Sequence, residues 1–198
     1  MKNVLRSALI GILVIIGNNV FAQETAFGLK AGVNVTSLKL DDPEASYNSR
    51  TGYHAGFFLR GRFNKIGIQP EVLLFTQRGE GTFALGKVEE SFTYLSIPVI
   101  VKFYPIGGLN LQAGPQFGFL LDGERKFESA FGTVKDDIKD HYKESDVSIS
   151  LGAGYDFGFG LGLDFRYNIG VKDINNETNG DPAKSRIFLV SLGWNFLK

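Results

Sequence analysis

DVSISLGAGYDFGFGLGLDFRYNIGV, residues Asp146 to Val171, decides the fold. Val147, Ile149, Leu151, Ala153, Tyr155 and Phe157 alternate with Ser148, Ser150, Gly152, Gly154 and Asp156. After Gly158-Phe159-Gly160 the alternation resumes, with Leu161, Leu163, Phe165, Tyr167 and Ile169 against Gly162, Asp164, Arg166, Asn168 and Gly170. Successive side chains leave a pleated strand on opposite sides, so a period of two marks a strand with one apolar and one polar face. Two such runs joined by a glycine-rich link predict a hairpin.

Six further stretches carry the same period. They are FGLKAGVNVTSL from Phe27, GYHAGFFLRGRF from Gly52, IGIQPEVLLFTQ from Ile66, FTYLSIPVIVKFY from Phe92, LNLQAGPQFGFLL from Leu109, and LVSLGWNFLK from Leu189, where Val190, Leu192, Trp194 and Phe196 face alike. Pro70 lacks a ladder donor and predicts a local bulge in its strand. The links alternate in length. Short turns fall at Asn64-Lys65, Pro105 to Gly108 and Gly158 to Gly160, and long ones at 41–51, 79–90, 122–145 and 172–185. Eight strands with alternating short and long links predict an all-β, eight-stranded antiparallel up-and-down transmembrane β-barrel, with both chain ends on the short-turn, periplasmic side.

Periodicity leaves open which face points inward. A water-soluble cup for an apolar ligand would turn its apolar face to the lumen. Three features favour lipid outside. Glycines crowd the polar face at 28, 32, 56, 114, 118, 152, 154, 162 and 170, as a narrow lumen requires. The same face carries Lys30, Arg60, Arg62, Glu71, Lys102, Asp156, Asp164 and Arg166, whose signs nearly balance and so predict a paired interior network. Aromatic residues cluster near the strand ends of the apolar face, Phe27, Phe63, Phe103, Phe157, Trp194 and Phe196 at the short-turn end and Tyr53 and Phe119 nearer the loops, as in a membrane girdle.

The beginning of the chain reads as an export signal. Lys2 and Arg6 precede the apolar run Ala8 to Ile16, and Val20-Phe21-Ala22 offers small residues for cleavage, which divides the chain into a signal peptide over 1–22 and a barrel domain over 23–198. Nine apolar residues are too few to cross a bilayer, which takes roughly 20. Removing Lys2 and Arg6 from 21 basic side chains leaves 19 against 21 acidic ones, a balance that argues against a nucleic-acid partner. The chain has no cysteine, hence neither disulfide staples nor a thiol for a lipid anchor.

Signatures of chemistry are sparse. Two histidines, His54 and His141, and no cysteine are too few for the usual zinc site, and no nucleophile-elbow motif occurs. GFGLGLD from Gly158 leads into a strand instead of a helix, so it fails as a phosphate-binding loop. Asp136, Asp137 and Asp140 and the 173–181 segment read as solvated loop acids; the latter has Thr178 where a calcium loop needs glycine. Asp156 and Asp164 resemble an acid/base couple, but Arg62 and Arg166 make interior ion pairs the plainer account. The sequence therefore predicts no catalytic residue, metal or cofactor.

The phrases FGLKAGVN, IQPEVLLFTQRG, YLSIPVIVKFY, LQAGPQFGFLL and SLGAGYDFGFGLGLDFRYNIGV, in this order, resemble those of the PorT-like outer-membrane β-barrel proteins, the outer-membrane protein β-barrel domain family. The resemblance covers nearly all of 23–198 and implies an eight-stranded outer-membrane barrel in a Gram-negative bacterium. The founding member's part in maturing secreted proteases is not carried over, because family membership transfers architecture better than activity. The terminal Phe196-Leu197-Lys198 departs from the usual aromatic last residue of such barrels.

The expected function is that of a small barrel with a side-chain-filled interior and a structural or surface-interaction role through its four long loops. Its expected partners are outer-membrane lipid and lipopolysaccharide, the barrel-insertion machinery, and an extracellular or envelope protein. The alternatives are a soluble carrier of an apolar ligand, and a narrow pore or enzyme using His54.

Overall fold

The computed structural model describes residues 24–38, 50–83, 86–129, 132–137, 145–171 and 185–197. The 1–22 segment, His141 and most of the 41–51 and 172–185 links lie outside the described residues. Among the described residues there are nine strands: β1 (Glu24–Leu38), β2 (Arg50–Phe63), β3 (Ile66–Phe83), β4 (Gly86–Phe103), β5 (Leu109–Ser129), β6 (Gly132–Asp137), β7 (Ser145–Asp156), β8 (Leu161–Gly170) and β9 (Ser185–Leu197). All pair antiparallel. Eight of them close a barrel through the β1–β9 and β4–β5 ladders, while β6 pairs with the far end of β5 alone.

Closure leaves no sheet edge around the barrel wall, the condition for backbone amides in hydrocarbon. The short turns fall where expected. Asn64 takes a left-handed φ of 52°, which asparagine tolerates in a tight turn, and Gly107 and Gly160 take φ of 55° and 104° in the other two.

The two faces sort as lipid outside and polar inside. Outward positions on β5 and β7 such as Leu111, Ile149 and Leu151 are exposed, whereas Lys30, Glu71, Lys102, Asp164 and Arg166 are each under 6% exposed. This is the inverse of a soluble cup, whose apolar side chains line its lumen. Phe63, Phe103, Trp194 and Phe196 ring the short-turn end and Tyr53 stands at the other, all exposed.

Two expectations need correction. Pro70 makes no bulge: the β2–β3 and β3–β4 registers are the same on both sides of it, from Gln69 opposite Ile100 to Leu73 opposite Ser96. The register shifts lie elsewhere, at Phe27/Gly28 and Thr93/Tyr94. The proposed loops 79–90 and 122–145 are largely strand. β3 and β4 stay paired from Gly79 opposite Glu90 to Phe83 opposite Gly86, and β5 continues to Ser129 before returning as β6.

The cause is a change of solvent along the outward rows. Leu74, Leu95 and Leu121 give way to Arg78, Ser91 and Glu124, so the strands keep their ladder but no longer present hydrocarbon-compatible side chains. Charge and glycine in these segments mimic a loop in sequence.

Ile149 opposes Pro115, halfway along the outward row of β5 from Leu109 to Leu121. Ile149→Arg should therefore cost about 2–4 kcal/mol of stability in lipid vesicles, the penalty of a cation at mid-bilayer. Denaturant unfolding measures it, and a cost near zero would contradict a lipid-facing position.

Candidate functional site

Inward parity on seven strands brings the polar residues onto one axis. Around Glu71 on β3, Lys30 Nζ of β1 donates to Oε1 at 2.6 Å, and the Arg166 guanidinium of β8 donates to both carboxylate oxygens at 2.6 and 2.8 Å. Gln69 Nε2 adds a bond of 2.6 Å to the same Oε1. A two-pronged arginine contact fixes orientation as well as charge.

Asp164 on β8 is the second hub. Lys30 Nζ lies 2.7 Å from its Oδ2, Lys102 Nζ 3.2 Å from Oδ1, and Arg166 3.4 Å from Oδ2. Gln112 on β5 donates to Asp164 and accepts from Arg166 Nε at 2.6 Å, tying the two acidic hubs together. Gly154 makes room for this cluster, since a side chain there would collide with the Asp164 carboxylate and the Gln112 amide.

Nearer the short turns, Asp156 accepts from Arg60 at 2.7 Å, from the Tyr104 hydroxyl at 2.7 Å, and from Lys102 and Asn110 at 3.4 and 3.3 Å. Seven of the eight predicted residues thus form one connected interior network. Arg62 stands apart. It lies at the rim, 28% exposed, 3.6 Å from Glu24, with its guanidinium 4.0 Å above the Tyr104 ring. Near the end of β2, next to the Asn64 turn, its long side chain reaches the polar edge and not the lumen.

Tyr104, Gln69, Asn110 and Gln112 were not among the predicted charges. Their signal is present: Gln69 shares the parity of Glu71 and Tyr104 that of Lys102, while Asn110 and Gln112 stand on the polar parity of β5 with Gly114 and Gln116. Counting only ionisable groups missed the amides that hold the hubs together.

Towards the other end the lumen changes character. Asn168 and Ser150 bond to each other and to Gln116, and His54 Nε2 lies 2.7 Å from Ser191 Oγ with its ring stacked on Phe75. Phe75, Ile187, Leu189, Phe92 and Leu120, with Tyr94 against them, then close the passage with apolar side chains. The His54 and Ser191 side chains are sealed in this stack at 2% exposure each. Among the described residues no cluster of three His, Asp or Glu has the arrangement of a metal site.

The model of the outer membrane protein beta-barrel domain family matches residues 21–176. The chain belongs to this family. Among solved structures, Ail, the attachment invasion locus protein of Yersinia pestis, is similar at 17% identity and a TM-score of 0.52, with 87% of this chain and 99% of Ail covered. Neisserial surface protein A is similar at 11% identity and a TM-score of 0.55, again with 87% of this chain and 99% of that one covered. At such identities the likeness is one of fold. No curated protein matches the sequence. Outer membrane protein beta-barrel domains of this architecture reside in the outer membrane of Gram-negative bacteria, and this chain is placed there with them.

Removing one partner from a buried cluster leaves charge stranded. Glu71→Gln leaves Lys30 and Arg166 to share Asp164 with Lys102 and should cost about 3–5 kcal/mol in vesicle unfolding. Arg62→Ala, at the wet rim, should cost no more than about 1 kcal/mol. Equal effects of the two variants would contradict the division between lumen and rim.

Proposed function

We propose that this chain is a non-enzymatic surface-interaction protein of the outer membrane, a rigid barrel carrying a β-sheet that stands clear of the bilayer on the extracellular side. The observation that carries the reading is that β3, β4 and β5 continue past the apolar belt and reverse the polarity of their outward rows. Beyond Leu74, Leu95 and Leu121 those rows offer Arg78, Glu89, Ser91, Glu124 and Lys126, which line a groove of about 350 Å³.

Among the described residues, β3 from Gln77 to Phe83 is paired with β4 only, and β6 with β5 only. Unpaired strand edges and a charged face are the two surfaces by which sheets recognise polypeptides. An extracellular or envelope protein is accordingly the proposed partner. Lipid and lipopolysaccharide surround the apolar belt, and the barrel-insertion machinery assembles it. A PorT-like role within the family is part of this proposal at the level of architecture alone.

The filled lumen supports a structural use of the interior network, with Lys30, Arg60, Glu71, Lys102, Asp156, Asp164 and Arg166 as a plug that keeps the wall stiff. It speaks against bulk transport, since the apolar stack from Phe75 to Leu120 lies across the axis. The segment over 1–22 is proposed as the export signal.

Replacing residues 80–89 by a two-residue Asn-Gly turn shortens the protruding hairpin and leaves the barrel ladder intact. The shortened protein should still show the heat-dependent gel mobility of a folded barrel while losing adhesion of expressing cells to host matrix or envelope protein. Retained adhesion would refute the role assigned to the sheet.

A further inference from the structure

The buried charge cluster at the short-turn end of the lumen is not electrically balanced. Among the described residues, Lys30, Arg60, Lys102 and Arg166 face only the carboxylates of Glu71, Asp156 and Asp164, one negative charge too few. Arg62 and Glu24, paired at the rim, do not alter this count.

The surplus has an address. Lys30 and Arg166 each hold a carboxylate oxygen at 2.6 Å, whereas every contact of Lys102 Nζ with Asp156 and Asp164 is long, between 3.2 and 3.5 Å. Arg60, 4% exposed, makes one close ion pair through Nη1, and its Nε–H finds no acceptor. Both cations line one small cavity between the acidic hubs and the short turns, together with Lys30, Phe58, Gln69, Asp156, Asp164, Asn195 and the bare backbones of Gly162 and Gly193. Gln69 Oε1 and Asn195 Oδ1 are without partners in the same wall.

An uncompensated buried cation costs several kcal/mol, so a guest that supplies the missing charge is stabilised strongly. We propose that this cavity binds one small monovalent inorganic anion, with chloride as the physiological form. Arg60 Nε–H and Lys102 Nζ donate to it, and Asn195 can turn its NH2 group inward to add a third donor, because amide orientation follows the hydrogen-bond network. Asp156 and Asp164 line the same cavity, and their two negative charges against Lys30, Arg60 and Lys102 limit the site to a single charge. The cavity has room for one guest of about the size of water or slightly more, which excludes phosphate and sulfate. A water molecule would satisfy Gln69 Oε1 but leave the surplus charge unanswered.

The test uses the folded barrel in detergent, with sodium bromide in place of chloride. Anomalous diffraction should place bromide between Arg60 Nε and Lys102 Nζ. The midpoint of heat-dependent gel mobility should rise by about 2–4 °C in chloride or bromide over gluconate at equal ionic strength. Lys102→Met removes the surplus cation and should abolish that halide dependence. Water alone in the cavity, a midpoint indifferent to halide in the parent protein, or an undiminished halide shift in Lys102→Met would overturn the proposal. The bromide map and the parent midpoint decide the matter even if Lys102→Met fails to fold.

Discussion

Eight strands make a cylinder too narrow for bulk water, so the charged side chains on the inward parity are stabilised chiefly by one another. The Glu71 and Asp164 hubs are the answer. Their carboxylates join β1, β3, β4, β5 and β8 through Lys30, Lys102, Arg166 and Gln112, linking strands far apart in sequence. A hydrocarbon-facing exterior gives little preference for one strand register over another. The pairing of unlike charges inside supplies that preference, since a slip of one residue would send Arg166 into lipid and Phe165 into the hub.

The same constraint shapes the rest of the interior. Space for long cationic side chains exists because the neighbouring inward positions are glycine, as at Gly28 and Gly193, where the Phe58 ring fills the gap beneath Lys30. Above the hubs the lumen needs no charge and is closed by Phe75, Ile187, Leu189, Phe92 and Leu120. Stiffness below and closure above leave the protruding sheet as the part free to vary with function, in keeping with a fold that serves unrelated roles in different proteins.

The barrel was legible in the sequence because its wall obeys one rule without interruption. From Leu109 to Phe119 or Leu161 to Ile169, the period of two names both the strand and the side chain's solvent. That parity also placed seven of the eight charges in the lumen. It could not say who pairs with whom, because contacts such as Arg166 with Glu71 span 95 residues. Arg62 shares the parity of Arg60 but sits next to the turn, where an inward direction leads to the rim. The rule failed most where solvent changed along a strand: at Arg78, Glu90 and Lys126 the chain keeps its ladder in water, and charge with glycine there looks like loop. Pro70 misled in another way, since the ladder passes it without a change of register.

Everything rests on the apolar parity facing lipid while the charged parity faces the axis. The chain has no native cysteine, so single cysteines at 147 to 151 can each carry a nitroxide label without competition. In lipid vesicles, labels at Val147, Ile149 and Leu151 should be relaxed by dissolved oxygen and shielded from a water-soluble nickel complex, while those at Ser148 and Ser150 are immobilised and reached by neither. An inverted alternation, with 148 and 150 open to the nickel complex and 149 packed, would contradict the account.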